Sequence, residues 1–149
     1  METKEYPIGL ALSQAAKAVT RGFEDCLNSA EGALSTWLIL QALMAQNGVL
    51  QAGLAQMIGV QGSTLTHHLN GLDTAGLIMR TRLISDRRSH RVDITNQGRE
   101  VYHRLRQSAM AYDAMLNSVL SADEAIALRG LLTRMTQASK AGHDPAAQG

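Results

Sequence analysis

The chain has 149 residues, 45% of them apolar but only five aromatic, a composition that suits one compact domain of packed helices better than a β-sandwich. Its single cysteine, Cys26, excludes an intrachain disulfide and a multi-cysteine metal site. The net charge is +1, yet residues 80–106 hold eight arginines against Asp86, Asp93 and Glu100, which is either a footprint for a polyanion or a solvated basic surface.

The opening METKEYPIGL has no basic segment followed by a long apolar run, so no signal peptide is expected. No apolar stretch approaches the roughly 18 residues of a membrane span. Cytoplasm is the expected compartment.

Ile8, Leu12, Ala15, Ala16, Val19, Phe23 and Leu27 recur at three- and four-residue steps, which predicts an amphipathic helix over residues 7–27 with Pro7 in its first turn. A loop over 28–34 follows. Ser35 is the expected N-cap of a second helix through Trp37, Leu38, Leu40, Leu43 and Met44, which stops at Asn47-Gly48. A short helix is expected over 51–58, ended by Gly59, and another over 62–75, ended by Gly76.

Beyond Gly76 the pattern changes. Residues 77–83 read as a strand, 85–89 as a polar turn and 90–94, with period two, as a half-buried strand. Thr95 then caps a long helix over 96–117, with Val101, Leu105, Ala109, Tyr112 and Leu116 on one face. Ser121 and Glu124 form a capping box that opens a last helix through Ile126, Leu128, Leu131, Leu132 and Met135. The tail from Ala141 is expected to fray. The fold class is therefore mainly α with a small β-hairpin: a winged helix-turn-helix over 35–98, with helical regions over 1–34 and 99–149 that pack on each other within a subunit or across a dimer, as one intertwined domain.

In the helix over 62–75, Leu65, Leu69 and Leu72 share one face and should be buried. The opposite face carries Ser63, Thr66, His67, Asn70 and Thr74, with Thr64 beside them. These are short hydrogen-bonding side chains of the kind that read base edges in a major groove, although an ordinary polar surface helix has the same composition. In the hairpin, Arg80, Arg82, Arg87, Arg88 and Arg91 fall within twelve residues, around a tip able to enter a narrow, negative minor groove. Asp86 is expected to hold one of these arginines by a charge-assisted hydrogen bond and so stiffen the tip.

Three runs carry a resemblance: Leu54-Ala55-Gln56-Met57-Ile58-Gly59-Val60, Thr64-Leu65-Thr66-His67-His68-Leu69 and Gly76-Leu77-Ile78-Met79-Arg80. Together they resemble the helix-turn-helix of the multiple-antibiotic-resistance-regulator (MarR) family. Asp86-Arg87-Arg88, followed by Val92-Asp93-Ile94-Thr95-Asn96-Gln97-Gly98, resembles that family's wing signature. The resemblance implies a homodimer with interlocking terminal helices and one winged helix per subunit. It also implies a pseudo-palindromic double-stranded DNA operator, repression, and release by a small molecule or by oxidation. It makes Asp86 and Arg88 the signature residues of the wing. Family members often carry arginine where this chain has His67, and a further basic residue near Gly71. Here no Lys or Arg occurs from 61 to 79, so phosphate anchoring is expected from the wing and Arg99, and discrimination from the helix.

The expected DNA-binding residues are thus Ser63, Thr64, Thr66, His67, Asn70, Arg82, Asp86, Arg87, Arg88 and Arg91. A ligand pocket is expected around Leu12, Trp37, Leu40 and Tyr102, unless these are simply core. No cofactor is expected. No metal site is either, because His67, His68, His90, His103 and His143 lack ligand spacing. Phosphate loops, nucleophile elbows and HExxH are absent from the sequence, so no enzyme is expected. Two alternatives stay open. One is a winged-helix module that binds a protein instead of DNA. The other is redox sensing through Cys26, which the flanking Glu24 and Asp25 disfavour because they oppose thiolate formation.

Overall fold

A computed structural model describes residues 7–142. Tyr6, His143 and most of the tail expected to fray lie outside them. The element order is α1 (Ile8–Ser29), α2 (Leu34–Ala45), β1 (Val49–Leu50), α3 (Gln51–Ile58), α4 (Gly62–Thr74), β2 (Ile78–Arg82), β3 (His90–Ile94), α5 (Asn96–Asn117) and α6 (Ala122–Ala141). The chain forms two compact units, one up to Met110 and one from Ala111. None of the described helices is long and apolar enough to cross a membrane.

Within the first unit α2 is mostly apolar, and Trp37, Ile39, Leu40 and Leu43 are its buried residues. Ile39, Leu40 and Leu43 enter a core with Leu54, Leu65, Leu69, Ile78 and Val92. Trp37 instead joins Leu27, Leu105 and Ala109 in a second cluster. Leu65 and Leu69 are fully enclosed, so truncating either to alanine costs about 2–5 kcal/mol.

The helix ends differ in detail from the sequence reading. α2 begins at Leu34 behind Ala33, which offers no side-chain cap, and Ser35 lies inside the first turn. α4 ends as expected at Gly76, whose φ of +74° suits glycine, and there the Leu77 N–H reaches the Leu72 carbonyl at 2.9 Å. Thr95 accepts the Gly98 N–H at 3.0 Å and donates to the Gly76 carbonyl at 2.6 Å.

The sheet has three antiparallel strands in the order β1-β3-β2. β2 and β3 form the expected hairpin, with Arg80 opposite Val92 and Arg82 opposite His90. β1 was not foreseen. Two residues have no measurable period, yet Val49 pairs with Val92. Next to β1, Asn47 Oδ1 accepts the Ile94 N–H at 2.9 Å and ties the end of α2 to β3.

The second unit contains the last turns of α5, a turn over 118–121 and α6. The capping box is present: Ser121 Oγ accepts the Glu124 N–H at 3.2 Å and Glu124 Oε2 accepts the Ser121 N–H at 2.8 Å. No residue of α6 is buried, and Ile126, Leu128, Leu131 and Leu132 are exposed.

Candidate nucleic-acid interface

α4 divides as its periodicity predicts. Leu65, Leu69 and Leu72 anchor it to the core, which leaves Ser63, Thr64, Thr66, His67 and Asn70 on the exposed side. The position of this surface is fixed by packing, because α3 and β2 both contact α4.

Two of the expected readers are already engaged. The Thr66 hydroxyl donates to the Gly62 carbonyl at 2.9 Å and accepts from Gln51 Nε2 at 2.7 Å. Its donor is therefore used within the protein, and its methyl group and one acceptor lone pair remain for a base. Gln51 was not among the expected site residues. Its signal, a polar side chain at the first position of α3, is too common to single out. The Asn70 Oδ1 accepts from Arg80 Nη2 at 2.8 Å. His67 is exposed and its ring centroid lies 5.8 Å from that of His68.

The wing tip is organised by Asp86, in a way that differs from expectation. Its carboxylate holds no guanidinium. It accepts the Arg88 backbone N–H at 3.0 Å and the Ser89 hydroxyl at 2.7 Å, while the Ser89 N–H reaches the Asp86 carbonyl at 3.0 Å. The Asp side chain closes an Asx turn, so it stiffens the tip through the backbone. The Ser89 hydroxyl first, and then the Arg88 amide, hold the Asp86 carboxyl below its ordinary range.

The arginines fall into two groups. Arg82, Arg87 and Arg88 are exposed. Arg80 and Arg91 are paired. Arg91 grips Asp93 with Nε at 3.0 Å and Nη2 at 3.1 Å, the spacing of two residues that places both on one face of β3. Gly48, at φ +71°, leaves room for that guanidinium, which a Cβ would strike. Arg91 is thus oriented by the protein before any partner arrives. A cleft of about 290 Å³ between α4 and the wing is lined by Gln51, Thr66, Arg88 and His90 among others. Thr66 and Arg88, 22 positions apart in sequence, both line it.

The four expected pocket residues do not gather around a cavity. Trp37 and Tyr102 stack on each other, with ring centroids 5.4 Å apart and planes 2° from parallel. Leu40 is fully enclosed in the main core, and Leu12 is half-buried on α1. A cavity of about 470 Å³ opens nearby, with Glu24, Asn28, Leu34, Leu38, Ile58 and His68 in its wall and none of the four. The space lies instead beside the loop between α1 and α2. The half-buried Cys26 donates its thiol proton to the Ser108 carbonyl at 3.3 Å, a link between α1 and α5.

With this geometry in place, the comparisons are specific. The MarR family model matches residues 34–90, from α2 to the start of β3. A putative transcriptional regulatory protein for the hcr operon of Thauera aromatica is 30% identical, over 86% of this chain and 78% of its own length. The HTH-type transcriptional regulator FarR of Neisseria gonorrhoeae is 29% identical over 91% of this chain and 93% of its own length. Among solved structures, the transcriptional repressor CouR bound to a 23-mer DNA duplex superposes with a TM-score of 0.81. It is 28% identical, over 87% of this chain and 92% of that one.

Proposed function

The chain belongs to the MarR family, and from that premise we propose that it is a homodimeric repressor that binds a pseudo-palindromic operator and is released by a small molecule. One observation carries this reading: an exposed polar face on α4, whose one carboxylate, Asp73, is paired with Arg80, stands beside a wing tip that presents Arg87 and Arg88 on a braced turn. Polar side chains on a helix suit the major groove, and arginines on a hairpin tip suit the minor groove and phosphates. The likeness to a repressor in complex with duplex DNA supports the same mode.

In this proposal Ser63, Thr64, Thr66, His67 and Asn70 face bases, while Arg82, Arg87, Arg88 and Arg91 face the backbone or minor groove, with Asp86 as their brace. Residues 35–98 form the DNA-binding region, and 1–34 with 99–149 form the dimerisation region. The apolar side chains left exposed on α1 and on α6, Ile8 and Leu10 on the one and Ile126 and Leu131 on the other, support a partner that covers them. Half-sites then lie about 34–36 Å apart. The effector enters the cavity beside Glu24 and His68, whose volume suits a small molecule. His68 belongs to α4, so an occupant there touches the reading helix directly.

The test is binding of the purified protein to fragments selected from genomic DNA, measured across a salt series. Affinity should fall steeply, with a log–log slope of about −0.9 per phosphate neutralised. Absence of binding at low salt refutes the proposal and favours a winged-helix module for protein partners.

A further inference from the structure

Arg80 is the one arginine of the basic block that reaches back onto the reading helix. It lies on β2, its side chain only 20% exposed, and its fork spans two residues of α4. Nε donates to Asp73 Oδ2 at 3.1 Å and Nη2 donates to Asn70 Oδ1 at 2.8 Å. Asn70 and Asp73 are three positions apart, so they share one side of the helix and both meet a single guanidinium. The Asp73 carboxylate offsets the charge of Arg80, which makes it a poor free cation for a phosphate.

A guanidinium has five donors and no acceptor, so the amide that meets it must turn its oxygen inward. The Asn70 NH₂ is then directed away from Arg80, at an exposed position on α4. An unrestrained asparagine offers a base both a donor and an acceptor, and in that form it matches the paired N6 and N7 edge of adenine. One side of the Asn70 oxygen is already turned to Arg80, so the NH₂ is the group that leads toward a partner.

We propose that Arg80 is a positioning residue that fixes the Asn70 amide with its NH₂ outward, so that Asn70 reads chiefly as a donor and selects a base edge presenting acceptors, guanine N7 and O6 or thymine O4, in place of the two-bond adenine edge. This rests on the DNA-binding reading above. It adds that a residue outside the recognition helix sets which base the helix accepts.

The test is selection of duplexes from a pool with randomised half-sites, using the full-length protein and its Asn70→Ala, Asn70→Asp, Arg80→Lys and Arg80→Met variants. Asn70→Ala identifies the position that Asn70 reads, and there the parent should favour G or T. Asn70→Asp keeps the bond to Arg80 but loses the donor, so it should lose the same preference. Arg80→Met frees the amide and should reduce discrimination at that position alone by roughly tenfold, with adenine gaining ground. Arg80→Lys has no fork to hold both partners, so it should flatten that position too while keeping affinity for unrelated DNA. If Arg80→Met fails to fold, Arg80→Lys together with the parent's own preference at that position decides the matter.

A parent preference for adenine at the Asn70 position overturns the proposal, as does a preference unchanged in both Arg80 variants. Uniform weakening on all duplexes with a salt slope shallower by about one also overturns it, because that is the mark of a phosphate contact. If the parent binds no DNA at all, the functional reading itself has failed. Selective binding that ignores Arg80 defeats only this inference.

Discussion

Asp86 and Arg88 are joined through the main chain: the Asp86 carboxylate takes the Arg88 amide N–H at 3.0 Å, and the Arg88 side chain stays exposed at the tip of the wing. The acid braces the turn without neutralising the base it serves. Asp86→Ala should therefore weaken operator binding several-fold, and Asp86→Asn, whose amide oxygen closes the same turn, should stay close to the parent. Fluorescence anisotropy on a labelled operator measures both. Equal losses in the two variants would mean that the charge matters and the turn does not.

The same contacts set a pH dependence. The Asp86 carboxyl is held below its ordinary range, chiefly by Ser89, so its contribution to an ordered tip is complete above about pH 4, the ordinary aspartate value. It is lost as the pH falls through the lowered value in the folded protein. The amide resonances of Arg88 and Ser89 should hold steady from pH 8 to 5 and shift only in stronger acid. A transition near neutrality in these two resonances would contradict this.

Arg88→Ala should weaken binding to specific and unrelated DNA alike and make the salt slope shallower by about one, with the dimer still folded. Titrations at several salt concentrations report the slope, and sedimentation reports the dimer. An affinity equal to that of the parent would remove Arg88 from the interface.

His67→Ala should act differently. His67 stands on the exposed side of α4, so its loss should alter base preference more than general affinity. Competition between the operator and point-substituted operators separates the two effects. Uniform loss would make His67 a phosphate contact.

Gly98 lies in the first turn of α5 against Leu77, just before β2, and Ile94, the last residue of β3. A Cβ at this position would press into the Leu77 carbonyl oxygen and sit 2.9 Å from Ile94 Cγ1. Backbone cannot yield as a flexible side chain does, so Gly98→Ala should cost about 1–3 kcal/mol, a drop of several degrees in Tm. A melting curve that matches the parent's would mean that α5 shifts freely to make room.

The reading helix was legible from its sequence because the three leucines at 65, 69 and 72 leave only one way to turn it. The turn at Asp86 was legible from its residue types, although its partner was not. Composition shows that an acid sits among bases, but only coordinates show whether it bonds a side chain or an amide. Arg91 with Asp93 was within reach, since a spacing of two on a strand puts both on one side. Arg80 with Asn70 was not, because the chain reverses at Gly76 between them. That Trp37 and Tyr102, both expected at a pocket, stack on each other was out of reach too, because 65 positions of chain separate them.

Thr95 bonds at once to the carbonyl that ends the α4 region and to the first turn of α5, while its own N–H holds the Leu77 carbonyl at 3.1 Å. Three segments are stitched at a single residue. No hinge is left between the helix that reads DNA and the root of α5. A displacement of either is thereby passed to the other, so the end of α4 and the first turn of α5 move together.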